Sequence, residues 1–146
     1  PRLDARPETA DDEPPVRQVM TPQVVAIVAD ADLLIASRIM AARSVRHLPV
    51  MDGPRCRGLL LEIDVVQALA LADNPIVRPP LLAGELCRTA PVVHPGDHRS
   101  TAARQLRATG VDAALVCEGE AVVGILTATD LIRSLATEVG RHPTTA

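Results

Sequence analysis

Among the side chains of this sequence that could do chemistry, a threonine and an aspartate three residues apart stand out: Thr127-Ala128-Thr129-Asp130. An ionised carboxylate is a strong acceptor of charge-assisted hydrogen bonds, and a hydroxyl beside it can donate or accept. The same spacing fits the start of a helix, with Thr127 as the cap and Asp130 in the first turn. Asp64 stands in a similar setting, but three residues before it is Leu61, which has no hydroxyl. Glu62 is adjacent and is expected to point into solvent. Arg46 and His47 are a second polar pair, and a planar guanidinium can bond two phosphate oxygens. The alternative is that Arg46 is a solvated strand residue and His47 a packed, hydrogen-bonded one. Asp112 and Ala113, which correspond to Arg46 and His47 further along the chain, offer a phosphate nothing.

Catalytic chemistry finds no footing. His94 and His98 are four apart, but Pro95-Gly96-Asp97 between them reads as a strand-to-loop step, so helical metal-binding geometry is not available. Ser37, Ser44 and Ser100 lie in no nucleophile motif, and no histidine-acid partner can be placed beside them. No glycine-rich phosphate loop occurs. The expectation is a protein that is not an enzyme and holds no metal or required cofactor.

Composition narrows the remaining classes. The chain has 146 residues, 47% of them hydrophobic, enough for a buried core. It contains no Phe, Tyr or Trp. Stacking of bases on aromatic rings and aromatic cages for quaternary amines are therefore excluded. The formal net charge is -3 with scattered basic residues, which speaks against nucleic acid as a partner. No stretch approaches a membrane span, and no signal peptide opens the chain. The opening Pro1 points to a trimmed N-terminus. Cys56, Cys87 and Cys117 have no metal-type spacing, and Cys117 reads as a small core residue, which favours a reducing cytoplasm.

The elements that must position these residues repeat. Sliding the sequence by 66 residues sets Gly58 on Gly124, Asp64 on Asp130, Val50 on Val116, Ala36 on Ala102 and Ile27 on Val93. In the first copy, Val24 to Val28 reads as a strand. Asp30 or Asp32 can cap a helix from Leu33 to Ala42, whose Leu33, Ala36, Ile39 and Met40 keep helical spacing. A strand at His47 to Met51, a turn at Asp52-Gly53-Pro54, a strand at Cys56 to Leu61 and a helix at Asp64 to Ala72 follow. The second copy predicts strands at Ala90 to His94, Ala113 to Cys117 and Ala121 to Leu126. Its helices fall at Ser100 to Ala108 and Thr127 to Val139, with Gly140 as the stop. The expected division is a flexible segment at 1–15, one unit at 16–72, a Pro-containing linker at 73–83 (Pro75, Pro79, Pro80), a second unit at 84–139 and a tail at 140–146. The class is mixed α+β, two β-α-β-β-α units. A unit of about 50 residues has too little core alone, so the two are expected to pack sheet to sheet with pseudo-two-fold symmetry and leave clefts between them.

Val19-Met20-Thr21-Pro22, Ser44 to Val50 and Gly124 to Leu131 carry a family likeness. In order and repeated, they resemble a tandem pair of CBS motifs, a Bateman module, over about Pro15 to Glu138. The resemblance implies a regulatory module that commonly forms a homodimer. It implies an adenosine-containing ligand, AMP, ADP, ATP or S-adenosylmethionine, in the cleft between motifs, and a regulated partner protein. It puts Thr127 and Asp130 on the ligand, with the carboxylate accepting from the ribose diol, and the adenine between aliphatic walls from Val92, Val93, Val111 and Ile125. Asp64 is the first-half counterpart of Asp130. Gly110 fits the family pattern where the first half has Ser44, whereas Leu115 stands where the first half keeps Pro49. Arg46 and His47 would lie near the phosphate. A ligand-free dimerisation or docking module is the alternative.

Overall fold

The computed structural model describes residues 13–72 and 81–141. Residues 1–12 of the flexible segment expected over 1–15, the linker prolines Pro75, Pro79 and Pro80, and the tail from 142 on lie outside the described residues. The fold is mixed α+β, with two three-stranded sheets ordered β1-β2-β3 and β4-β5-β6. The chain divides into two compact units, one holding each sheet.

In the first-sheet unit, β1 (Ile27–Val28) runs parallel to β2 (His47–Asp52), with α2 (Leu33–Arg43) as the crossover. Asp32 caps α2 by accepting from the Ile35 amide at 2.9 Å. Ser44 ends it in the left-handed conformation at φ 54°. The turn through Gly53 returns the chain antiparallel into β3 (Arg55–Leu61), and α3 (Glu62–Leu71) follows at once. Leu48, Pro49 and Val50 in β2 and Leu59 and Leu60 in β3 are fully buried. The apolar stripe of α2, Leu33, Ala36 and Met40, joins Leu48, Val50, Leu60 and Val65 in one core.

The second-sheet unit repeats this plan. β4 (Val92–Val93) pairs in parallel with β5 (Ala113–Glu118), α5 (Arg99–Thr109) crosses between them, and β6 (Ala121–Thr127) leads into α6 (Ala128–Arg141). The pairs Ile27–Val50 and Val93–Val116 are the same pair one repeat apart. So are the bonds that set the closing helices, Glu62 N–H to the Arg46 carbonyl and Ala128 N–H to the Asp112 carbonyl, both 2.9 Å. The expected strands Val24 to Val28 and Ala90 to His94 shrink to two residues, because only those reach a partner. Helix α5 begins at Arg99 rather than Ser100. Gly140 does not stop α6, which continues to Arg141, since a glycine in a helix costs only about 1 kcal/mol.

Two further helices were not expected from the sequence, α1 (Val16–Val19) and α4 (Ala83–Leu86). Each opens an arm that joins the sheet of the other sequence repeat. The first arm belongs to the second-sheet unit: Val16 N–H bonds the Asp97 carbonyl at 2.8 Å, and Thr21 and Ile125 exchange backbone bonds at 2.9 and 3.0 Å. The second arm belongs to the first-sheet unit: Ala83 N–H bonds the Ala31 carbonyl at 2.9 Å, and Leu59 and Arg88 exchange bonds at 2.9 and 2.8 Å. Buried Val16 and Ala83 anchor the arms. Thr21 and Arg88 therefore hold equivalent places, 67 residues apart (88 less 21) rather than 66, so the repeat slips by one residue at the arms.

Glycine at the crossing points lets each arm lie flat on its sheet. A Cβ on Gly58 would come within 2.2 Å of the Arg88 carbonyl oxygen. One on Gly124 would come within 2.5 Å of Met20 Sδ and 3.0 Å of the Thr21 carbonyl oxygen.

Candidate functional site

The strand-to-helix step from β6 to α6 builds the sharper of the two acidic centres. Thr127 ends the strand, and its hydroxyl accepts from the Asp130 amide at 3.1 Å. Asp130 answers by accepting from the Thr127 amide at 3.0 Å through Oδ2. Both halves of a capping box are present. Asp130 is only 5% exposed. Its other donors stand further off. The Thr21 hydroxyl lies 3.3 Å from Oδ1 and 3.4 Å from Oδ2, and Arg133 Nη1 lies 3.4 Å from Oδ1. A well-made O–H···O bond is about 2.5–3.0 Å. Among the described residues the carboxylate thus has one close bond, to its own helix cap, and spare capacity for better donors. Thr21 comes from the first arm, so this centre draws on both sequence repeats while lying in one unit.

The centre at Asp64 is made differently. Leu61 at the cap of α3 makes no side-chain bond to the helix. Both carboxylate oxygens of Asp64 are instead taken by Arg88: Nε donates to Oδ2 at 2.6 Å and Nη2 to Oδ1 at 2.7 Å. These short distances mark a two-pronged, charge-assisted pair. The hydrogen bond, and then the charge, of Asp64 push the Arg88 guanidinium above its ordinary pKa. Asp64 also borders a cavity of about 440 Å³, walled by Leu33, Leu34, Ala68, Leu71 and Leu86 among others.

The remaining candidates divide between the two units. Val92, Val93, Gly110, Val111 and Ile125 share the unit of Thr127 and Asp130, while Arg46 and His47 share that of Asp64. Val92 is 47% exposed, whereas Val93 has no exposure and sits inside the core cluster. Val111 and Ile125 are buried, and the Ile125 backbone is bonded to Thr21. Gly110 ends α5 at φ 70°, a left-handed position that glycine adopts without strain. Its role here is to stop the helix. Arg46 is exposed before β2 and gives its carbonyl to α3, while half-buried His47 pairs with Leu61 across the β2–β3 ladder. His94 Nδ1 lies 3.3 Å from the Cys117 carbonyl oxygen, and His98 stands at the N-cap of α5. Among the described residues no group of three or more metal-ligating side chains comes together, nor is any helix long and apolar enough to cross a membrane.

Three polar residues at these centres were not singled out from the sequence: Thr21, Arg88 and Arg133. Thr21 lies within the Val19-Met20-Thr21-Pro22 stretch, which held the signal. Arg88 was hidden because the gapless alignment sets it against Pro22 rather than Thr21.

Comparison with known families finds the CBS domain twice, at residues 16–71 and 83–137. The chain belongs to the CBS domain family. The two CBS matches begin in the arms, at α1 and α4, and end in the closing helices. Uncharacterized protein MJ1225 of Methanocaldococcus jannaschii is 27% identical over 127 residues, which is 85% of this chain and 44% of that protein. The chain spans less than half the length of the curated relatives it matches. Among solved structures, the CBS domain pair of protein MJ0100, in complex with 5′-methylthioadenosine and S-adenosyl-L-methionine, is similar with a TM-score of 0.76 at 18% identity, covering 86% of this chain and 98% of that one. CBSX2 in complex with AMP is similar with a TM-score of 0.72 at 21% identity, covering 87% and 98%. At such identities these two likenesses show the fold.

Proposed function

We propose that this CBS pair is a regulatory module, not an enzyme, that takes an adenosine-containing ligand such as AMP, ADP, ATP or S-adenosylmethionine at the Thr127–Asp130 centre. The observation that carries the reading is the buried Asp130 carboxylate, whose shortest bond among the described residues is to its own cap, while the Thr21 hydroxyl and Arg133 stand at 3.3–3.4 Å. A ribose diol presents two hydroxyl donors side by side, which suits the two oxygens of one carboxylate. Val92, Val111 and Ile125 supply the aliphatic surface in the same unit for the base. The structures similar in fold include complexes with AMP, 5′-methylthioadenosine and S-adenosylmethionine, which supports the ligand class.

The mechanism is a population shift. A diol that outcompetes Thr21 for Asp130 loosens the tie between the first arm and α6, and that biases the packing or association of the chain. Cys56, Cys87 and Cys117, none of them in a disulfide among the described residues, suit a cytoplasmic setting. Calorimetry and thermal shift with AMP, ATP and S-adenosylmethionine test the reading. One ligand should raise the melting temperature, and Asp130→Ala and Asp130→Asn should both lose the response. A full response retained in both variants places the site elsewhere.

The second reading is a ligand-free homodimerisation or docking module. The Arg88 lock on Asp64 and the exposed apolar side chains of α3 and α6, Val66 at 57% and Ile132 at 67%, favour it. Flat thermal-shift profiles across the adenosine ligands, from a protein that is a stable dimer by light scattering, would select it.

A further inference from the structure

We infer that Arg88 is the specificity-determining residue of the first repeat: it closes the Asp64 carboxylate to hydroxyl ligands, so the chain takes one adenosine ligand rather than two. The inference rests on the reading of Asp130 given above and extends it to its pseudo-equivalent.

The two acids occupy matching places at the starts of α6 and α3, and an arm residue reaches each of them from a matching place. At Asp130 the arm residue is Thr21, a neutral hydroxyl at 3.3–3.4 Å. At Asp64 it is Arg88, a cation at 2.6 and 2.7 Å. The donors Nε–H and Nη2–H of one guanidinium face the two oxygens of one carboxylate, as two hydroxyls of a vicinal diol would. Arg88 is in that sense a built-in stand-in for the diol. It is also the stronger occupant, because it brings a full positive charge to the carboxylate and a diol brings none. A ligand that displaced it would leave a guanidinium to find other acceptors. Leu61 adds to the difference. Asp130 is held for use by the Thr127 capping box, and Asp64 has no such hold from Leu61. Arg88 is half exposed at 50%, so its replacement does not hollow the core. The cavity beside Asp64 does not count Arg88 among its lining residues.

The test counts AMP bound per chain, by calorimetry and native mass spectrometry, on the full chain. The wild type should bind one AMP. Arg88→Met, which keeps the apolar stem and removes the fork, should bind two, and adding Asp64→Asn should bring the count back to one. Arg88→Lys, with its charge but no fork, should fall between, with a second AMP only at high concentration. Asp64→Asn alone should leave the count at one, a readout that stands even if Arg88→Met folds poorly. Equal counts in the wild type and a folded Arg88→Met overturn the inference. If both are one, the Asp130 reading survives, and if both are zero, it falls as well. A wild type that binds two, with one lost in Asp64→Asn, also overturns it. None in the wild type and one in Arg88→Met, lost again with Asp64→Asn, supports the Arg88 role while ending the Asp130 reading.

Discussion

Thr127 and Asp130 each serve the helix and the candidate site at once, and the two duties separate by experiment. The reciprocal bonds between them satisfy two amides that α6 would otherwise leave open. Thr127→Val keeps the size of the side chain and removes the acceptor. It should cost about 1 kcal/mol of stability, the usual worth of such a cap, read as a lower denaturant midpoint with an unchanged slope. Ligand affinity should fall too, since Asp130 then lacks the bond that holds it. At Asp64 no such coupling exists. There the residue-scale fact is a single ion pair whose partners are 24 apart in sequence.

The arms are the elements on which both centres depend, and the glycines beneath them set how closely they lie. Gly58→Ala would drive a Cβ into the Arg88 carbonyl oxygen, a backbone atom that cannot swing aside. Forced overpacking of this kind costs about 1–3 kcal/mol, and this case belongs at the upper end. Gly124→Ala meets first the flexible thioether of Met20 and should cost less. Equilibrium unfolding of the two variants side by side checks the order. A second element-scale tie joins Glu13 to the first turn of α5, where the Ser100 hydroxyl donates to its carboxylate at 2.7 Å. That bond, ahead of a raising effect of burial, holds the Glu13 carboxyl below its ordinary pKa. A depressed folded-state pKa means stability that is present above the unfolded value and lost as pH falls through the folded one. Acidification from neutrality into the range below the ordinary glutamate pKa should therefore weaken the tie, and Ser100→Ala should flatten that part of the stability profile.

At the scale of the whole molecule, the exposed apolar side chains of α3 and α6 bear on the proposed homodimer. Val66 and Ile132 are one repeat apart, on α3 and α6, and both are exposed. We expect a homodimer in solution, with Val66→Glu and Ile132→Glu together shifting it to monomer in light scattering while the circular-dichroism spectrum is kept. A wild type that is monomeric at all concentrations tested would remove the dimer from the proposal. Much of this molecule was legible in the chain itself. The longer strands and the two crossover helices were, because apolar spacing, the Asp32 cap and the turn glycines act over a few residues. The pair of acids was legible because the repeat set Asp64 on Asp130. Helices α1 and α4 were not, since four-residue helices carry no periodicity to read. Nor was the burial of Val93 in the core beside exposed Val92, because alternate faces of a two-residue strand look alike in sequence.

The order of strands and helices, the two-fold repetition and the family follow from the chain alone, since each rests on local pattern or on likeness between its halves. Which residue meets each acid was settled only by folding. Thr21 reaches Asp130 across 109 residues, and Arg88 reaches Asp64 after a one-residue slip in the repeat. Contacts of that kind depend on where an arm is laid down by backbone bonds to a sheet far along the chain, and no local rule of spacing encodes that distance.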